Sequence, residues 1–252
     1  MITRQALTAF LDDYLACTTL NDYAPNGLQV EGKSTIRTIC TAVTASYDVI
    51  CRAVSLNADA LLVHHGYFWR GEDAVLTGMK RQRVGKLISH DLNLFAYHLP
   101  LDCHAEIGNN ACIGKLLGIQ DPRSHTAGKV PNLLWSGTFP HPIAADKFSE
   151  QLMDIFKRQP LHIAGTDKKI TRLAWCSGGA QDFIEDAYRL GVDAYLSGEV
   201  SERTYYQAQE LGMHYFACGH HATERYGIQA LGDFLSNRFE LSHQFLDTDN
   251  PV

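Results

Sequence analysis

The sequence predicts an α/β fold in which an internal duplication produces two related αβα-sandwich half-domains, with a metal site between them. Three observations support this prediction. Apolar runs of strand length alternate with amphipathic helical stretches, part of the chain repeats at a long offset, and histidines and carboxylates follow the apolar runs. Strands alternating with helices are typical of sheets that helices cover on both faces. Such folds bind their ligands beyond the carboxyl ends of the strands.

The first half begins with a helix after Thr3, whose side chain can accept a hydrogen bond from the first turn. Leu7, Leu11 and Leu15 then recur on one helical face. The other elements predicted for this half are strands over 28–30, 36–44, 59–63 and 94–97 and helices over 47–56, 79–90 and 108–117.

A stretch rich in turn-forming residues follows at 120–132. It contains Pro122, Gly128 and Pro131, and we predict that it connects the two halves. The elements predicted beyond it are strands over 133–139, 161–164, 170–176, 194–196, 214–217 and 241–246 and helices over 143–157, 183–190, 202–211 and 223–237. We therefore place the first domain at 1–125 and the second at 126–252. The segment from about 220 to 252 is a candidate to pack back on the first domain.

A long internal repeat favours duplication over two unrelated αβ units. Shifted by 134 positions, the stretch 48–65 lies on 182–199 without a gap, and a shift of 122 aligns the later motifs. The polar coincidences are Asp48 with Asp182, Asp59 with Asp193, His65 with Glu199, His98 with His220, and Asp102 with Glu224. Any two αβ units share apolar residues by chance. Here sparse histidines and acids also coincide, which a duplicated domain explains better.

Three motifs place histidine or carboxylate at predicted strand ends: His64-His65-Gly66, His98-Leu99-Pro100-Leu101-Asp102 and His220-His221-Ala222-Thr223-Glu224. Neighbouring side chains on a strand point to opposite faces. The first pair can therefore bind one metal only where the backbone turns, as glycine permits, or it can serve two metals. Each motif has a structural alternative: loop histidines for the first, a helix cap for the second and a surface salt bridge for the third.

Glu199 occupies in the second half the position that His65 occupies in the first. It could act as a general base, orient a water, or neighbour a helix cap without chemistry. Mixed histidine and carboxylate ligands suit iron, manganese or zinc. A pair of such ions can lower the pKa of a bound water to about 7.

Composition narrows the function classes. The formal net charge of −6 argues against a broad phosphate-binding surface, because nonspecific nucleic-acid affinity comes mostly from lysine and arginine. The seven cysteines are scattered without a CxxC motif, which predicts a reducing, cytoplasmic compartment. The N-terminus lacks the apolar region of a signal peptide, and no apolar run is long enough to span a bilayer.

The motifs resemble those of the YbgI family, the Nif-three-like proteins also called GTP cyclohydrolase I type two homologues. The resemblance runs nearly end to end. Its most specific segments are 22–32, 63–69, 98–102 and 219–225. Many relatives read His-Thr-x-Leu-Asp where this chain has His98-Leu99-Pro100-Leu101-Asp102, a local departure from the family pattern.

What the resemblance implies is a dinuclear centre with two divalent ions per chain, of iron, manganese or zinc. One ion would be held by His64, Asp102, His220 and Glu224, and the other by His65 and Glu224, which bridges them. His221 would be a neighbour, and His98 a second-sphere or substrate-side group. The resemblance also implies a toroidal homohexamer, a trimer of dimers, with its metal sites facing a central cavity.

Two functions remain open at this point. The first is a metal-dependent hydrolase acting on a small molecule, with a nucleotide as the candidate and cyclohydrolase-like opening of its ring as the reaction. The second is a non-catalytic metal-binding ring or scaffold protein, with nucleic acid as a candidate partner that the negative charge disfavours. Ser177-Gly178-Gly179 could present backbone amides to an anion, although glycine is also common in strand–helix turns.

Overall fold

The alternation of apolar and helical stretches gives thirteen strands and nine α-helices in the computed structural model, which describes all 252 residues. The strands are β1 Ile2–Thr3, β2 Gly27–Val30, β3 Thr35–Ile36, β4 Thr38–Thr44, β5 Ala60–His65, β6 Asn93–Ala96, β7 Gln120–Ala127, β8 Val130–Ile143, β9 Leu161–Ile163, β10 Ile170–Cys176, β11 Ala194–Ser197, β12 His214–Ala217 and β13 Ser242–Phe245. The helices are α1 Arg4–Tyr14, α2 Tyr47–Ser55, α3 Gly78–Ser89, α4 Leu99–Asp102, α5 Asn109–Leu116, α6 Ala145–Phe156, α7 Ile184–Arg189, α8 Glu202–Leu211 and α9 His220–Phe239. The predicted α/β class is confirmed.

The chain divides into two units. Unit one comprises Met1–Leu101 and Gly227–Asp249, and unit two comprises Asp102–Tyr226 and Asn250–Val252. The chain therefore passes from one unit to the other three times: within the one-turn helix α4, within α9, and between Asp249 and Asn250. No helix in the structure has the length and apolar character needed to cross a membrane.

Unit one is built on a five-stranded sheet with the order β13-β4-β5-β6-β2. The first four strands in that order are parallel, and β2 is antiparallel to β6. Helix α2 shows how the sequence fixes the packing. Ser46 caps it by accepting a hydrogen bond from the amide of Val49 at 3.2 Å. Its buried residues Val49, Ile50 and Ala53 belong to the same apolar core as Leu61 of β5.

Unit two is built on a six-stranded sheet with the order β7-β8-β10-β11-β12-β9. The three central strands β10, β11 and β12 are parallel. Helix α6 presents Phe148, Leu152 and Phe156 to the core, and all three are buried. The ring of Phe148 packs edge-on against Phe216 of β12, with centroids 5.0 Å apart. Each fully buried aliphatic or aromatic side chain of this kind contributes about 1.5–3 kcal/mol.

The two sheets share a strand register. Ile39 lies opposite Ala60 between β4 and β5, and Leu173 lies opposite Ala194 between β10 and β11, so both partners are offset by 134 positions. In the next strand pair, Asn93 and His214 occupy the corresponding positions, an offset of 121. The later motifs align at 122 because unit two has one additional residue between the strand and His220.

One aspartate plays the same role in each unit. It precedes the second parallel strand and accepts two backbone hydrogen bonds from the beginning of the first. The paired atoms are Asp59 Oδ2 with the amides of Arg37 (2.9 Å) and Thr38 (3.0 Å), and Asp193 Oδ2 with those of Thr171 (2.8 Å) and Arg172 (2.8 Å). Equal register and equal capping support the predicted duplication, which stays a prediction.

The stretch 120–132 is not a connecting loop, and this part of the prediction is wrong. It forms β7 and the beginning of β8, an antiparallel hairpin at the edge of the unit-two sheet. Pro122 fits there because an edge strand leaves its outward backbone groups unpaired. Gly128 has a φ of +55° in the turn between the two strands. The predicted boundary at residues 125 and 126 falls inside β7, whereas the two units divide between Leu101 and Asp102.

Candidate metal centre

Three imidazoles of unit one lie together at the carboxyl ends of neighbouring parallel strands. His64 and His65 end β5, and His98 follows β6 by two residues. The ring centroids are 4.6 Å apart for His64 and His65, 5.0 Å for His64 and His98, and 5.9 Å for His65 and His98. One nitrogen of each ring lies within 4.8 Å of the others. The two predicted ligands His64 and His65 therefore lie beside His98, the predicted second-sphere or substrate-side group.

The rings of His64 and His65 approach each other although neighbouring side chains on a regular strand point apart. The strand ends at His65. The next residue, Gly66, lets the backbone pass close to the side chains of Gln29 and Ala96. A Cβ at Gly66 would meet the side-chain oxygen of Gln29 and would lie 2.6 Å from Cβ of Ala96. Gly66 is not among the glycines with positive φ. It is thus required for space and not for the left-handed turn that its identity suggested.

Hydrogen bonds fix which ring nitrogen carries the proton. His64 Nδ1 lies 2.9 Å from the carbonyl oxygen of Tyr97, which can only accept. Nδ1 of His64 is therefore protonated, and in the neutral ring Nε2 carries the lone pair. His65 Nδ1 lies 3.1 Å from Thr44 Oγ1, a hydroxyl that can donate or accept. In metal sites, a histidine usually donates a hydrogen bond from one ring nitrogen to a protein acceptor, and this bond orients the other ring nitrogen toward the metal.

In unit two, His220 joins two carboxylates. Its Nδ1 lies 2.6 Å from Glu199 Oε1, and its Nε2 lies 3.1 Å from Glu224 Oε1. Burial lowers the pKa of His220, but the hydrogen bonds and charges of Glu224 and Glu199 outweigh it and raise the pKa to about 9. The two carboxylates thus favour a proton on this ring. A metal cation bound at Nε2 would take the place of that proton.

Asp102 is held by neutral donors of unit two. Its Oδ1 accepts hydrogen bonds from Asn109 Nδ2 at 2.8 Å and from Ser177 Oγ at 3.2 Å. The carboxylate is only 5% exposed. The helix-capping alternative for Asp102 does not apply, because α5 begins at Asn109 after Gly108 without a side-chain cap.

The turn at Ser177 and Gly178, directly after β10, packs against the candidate site residues of unit two. Gly178 has a φ of +67°, and a Cβ there would meet Glu224 Oε1 and would lie 3.1 Å from His220 Nε2. Its amide donates to Thr223 Oγ1 at 3.0 Å, and the amide of Ser177 donates to Asn110 Oδ1 at 2.9 Å. Because both amides bind protein acceptors, the anion cradle suggested by the sequence does not form at these two residues.

Four residues that were not predicted as metal ligands or catalytic groups support the site: Asp22, Asn109, Ser177 and Thr223. Each acts by bonding a predicted residue or its neighbour, across up to 76 positions of the chain. Asp22 and Thr223 lie in two of the family-like segments, and Ser177 belongs to the turn that the sequence suggested as an anion site. Hydrogen-bond partners this distant have no spacing pattern to reveal them.

The donor set fits a metal of the class that binds nitrogen and oxygen. Unit one offers imidazole nitrogens, and unit two by itself offers imidazole and carboxylate groups. Glu224 is 3% exposed, so its charge is removed from water together with that of Asp102. Buried carboxylates are stable as anions only beside positive charge or hydrogen-bond donors. A divalent cation would supply such charge.

Fold and site together define an α/β protein whose histidine and carboxylate clusters can hold metal. The chain belongs to the Duf34/NIF3 (NGG1p interacting factor 3) family, whose model matches residues 2–251. A relative from Vibrio cholerae, named GTP cyclohydrolase 1 type 2 homolog, is 48% identical over 248 residues, 98% of each chain. Relatives with the same name occur in Pseudomonas aeruginosa and Escherichia coli, at 45% and 46% identity.

Solved structures agree with this assignment. The protein ybgI, described as of unknown function, superposes with a TM-score of 0.95 at 44% identity over the whole of both chains. A protein from Thermus thermophilus gives a TM-score of 0.90 at 31% identity, again over both chains in full. The predicted family is therefore confirmed.

Proposed function

We propose that this chain is a metal-dependent hydrolase with a dinuclear centre. It binds two divalent ions, of iron, manganese or zinc, through His64, His65, Asp102, His220 and Glu224, with Glu224 as the bridge. The single observation that carries the proposal is the fixed tautomer of His64, whose Nδ1 donates to Tyr97 O and whose Nε2 is prepared for a cation. The same ring lies beside two further imidazoles, those of His65 and His98.

The substrate class we propose is a nucleotide or a related cyclic amide, and the reaction is hydrolytic opening of its ring. The relatives' names support this choice. When bound, the ions would polarise the attacked group and lower the pKa of a water to about 7.

The protein's own residues supply orientation for this chemistry. Asn109 and Ser177 hold Asp102 in one position. Glu199 accepts from Nδ1 of His220 and so directs the opposite ring nitrogen toward Glu224. This contact supports an orienting role for Glu199. Its role as a general base stays a prediction from the sequence.

The test begins with metal content per chain, measured by elemental analysis after purification without chelators or a metal-affinity tag. About two equivalents are expected for a two-metal site. The metal found is then used in a screen of GTP, other nucleotides and cyclic amides for hydrolysis. A chain that holds no metal even after reconstitution would overturn the proposal.

A second candidate is a metal-binding scaffold without catalysis, because the family description names an interacting factor. Structural metal sites are coordinatively closed, whereas catalytic ones keep an open position for water. Two firmly bound ions with no exchangeable water and no turnover would favour the scaffold.

We also propose a homohexamer, on the strength of the family resemblance. Light scattering should give six copies of the 28.1 kDa chain. A monomer or dimer at micromolar concentration would contradict this assembly.

A further inference from the structure

Hydrogen-bond donors surround the carboxylate of Asp22. Its side chain is 2% exposed. It accepts backbone hydrogen bonds from Tyr23 at 2.7 Å, Ala24 at 3.1 Å and Leu99 at 3.0 Å, and a side-chain bond from Asn26 at 3.0 Å. Amide N–H groups can only donate, so the oxygens of Asp22 act as acceptors in all four hydrogen bonds. Asp22 is therefore an ionised carboxylate that offers acceptor oxygens alone.

His98 binds this carboxylate with one ring nitrogen. His98 Nδ1 lies 3.0 Å from Oδ1 and 3.2 Å from Oδ2 of Asp22. Because the carboxylate can only accept, Nδ1 of His98 must carry a proton. In the neutral imidazole Nε2 then carries the lone pair and cannot donate.

The orientation of His98 is fixed by further contacts. Its backbone amide donates to Asn26 Oδ1 at 2.7 Å. Its ring packs edge-on against Tyr23 and Trp69, each with centroids 5.0 Å apart. The ring therefore has one position, beside the imidazoles of His64 and His65.

We propose that Asp22 is a positioning residue and that His98 Nε2 is a fixed hydrogen-bond acceptor at the metal centre. It accepts from an N–H or O–H of the molecule bound there, either an ion-bound water or the N–H of a cyclic amide. This inference rests on the proposed function, since it assigns one contact within the same site. It also sets a specificity: a bound group that offers only lone pairs toward His98 is disfavoured, because two acceptors would face each other.

The first test reads the tautomer of His98 without any metal or substrate. Protein labelled with ¹⁵N-histidine is studied by NMR at about pH 8.5, where an ordinary imidazole is neutral. Correlations from the ring protons to both nitrogens identify the protonated one, and the His98→Gln variant assigns the signal. We expect the proton on Nδ1 in the unaltered protein. A proton on Nε2 overturns the proposal, and the proton is located in the unaltered protein, with the variant used only for assignment.

The role of Asp22 is tested with two substitutions in the same region. Asp22→Ala should move the proton of His98 toward Nε2, the form that an unrestrained imidazole prefers. Asp12→Ala is the matched control, because Asp12 accepts from the hydroxyl of Tyr97 and has no bond to His98. An unchanged tautomer in folded Asp22→Ala protein would show that the carboxylate does not position the ring.

Zinc alone separates an acceptor from a ligand. Zinc affinity of His98→Gln should stay within about threefold of the unaltered protein, whereas His64→Gln should lose at least about tenfold. Equal losses in the two variants would make His98 a ligand and overturn the acceptor role. If the unaltered protein binds neither zinc nor iron nor manganese, the proposed function and the acceptor role fail together. The tautomer measurement still decides whether Asp22 positions His98.

Discussion

Replacing Gly178 with alanine should damage the metal site more than the fold. The added Cβ would meet Glu224 Oε1 and would lie 3.1 Å from His220 Nε2, so at least one of these groups must move. Both are proposed ligands, and Glu224 is 3% exposed with little room to shift. The substitution also places an L-residue at a φ of +67°.

Gly118 offers a matched control for the stability cost of placing alanine at a positive φ. It lies in the same unit with a φ of +66°, and a Cβ there would meet nothing within 4 Å. Gly118→Ala should therefore cost only the left-handed penalty of about 1–2 kcal/mol. Gly178→Ala should cost that amount plus about 1–3 kcal/mol for overpacking. Displacement of the ligand atoms should weaken metal binding about 10–100-fold, as loss of an orienting contact does elsewhere.

The assay combines two measurements on both variants: thermal unfolding of metal-free protein, and zinc affinity by competition with a chelating dye. We expect a similar backbone penalty in both variants, an additional loss of stability in Gly178→Ala, and weakened zinc binding in that variant alone. Equal zinc affinities for Gly178→Ala and Gly118→Ala, in folded proteins, would refute the placement of these ligand atoms against Gly178.

Three further predictions follow from individual contacts. Glu224→Gln should lose both ions together with an unchanged circular dichroism spectrum, whereas retention of both ions by elemental analysis would contradict a bridging role. Glu199→Gln should weaken zinc binding about 10–100-fold, because Nδ1 of His220 loses its anionic acceptor; unchanged affinity in a dye competition would remove Glu199 from the site. Burial raises the pKa of Asp59, but hydrogen bonds from Lys33 and two backbone amides outweigh it and lower the pKa. Ionised Asp59 therefore stabilises the fold above about pH 4, the ordinary carboxyl value, and this contribution disappears as pH falls through the lowered folded pKa. Asp59→Asn should lose about 2 kcal/mol in urea unfolding at pH 7 and much less at about pH 3, and a pH-independent difference would show that charge is not the cause.

Local sequence signals predicted most of the secondary structure because they act within one helical turn or one strand. Thr3 accepts from the amide of Ala6 and begins α1, as its position predicted. Helix α8 and strands β10 and β12 have the predicted bounds. The hairpin at 120–132 was missed because proline and glycine indicate turns. Whether such a stretch pairs as an edge strand depends on a later strand, which the residues of the stretch do not reveal.

The sequence by itself determined the fold class, the family and the candidate ligands, since apolar periodicity and short motifs are written along the chain. Only the tertiary structure decided how these ligands are oriented. It placed Asp22 against His98, 76 positions away, and Ser177 against Asp102, 75 positions away. It also showed that Gly178 is needed for a carboxylate that follows much later in the chain. Such contacts depend on which strand ends become neighbours, and no local pattern records that choice.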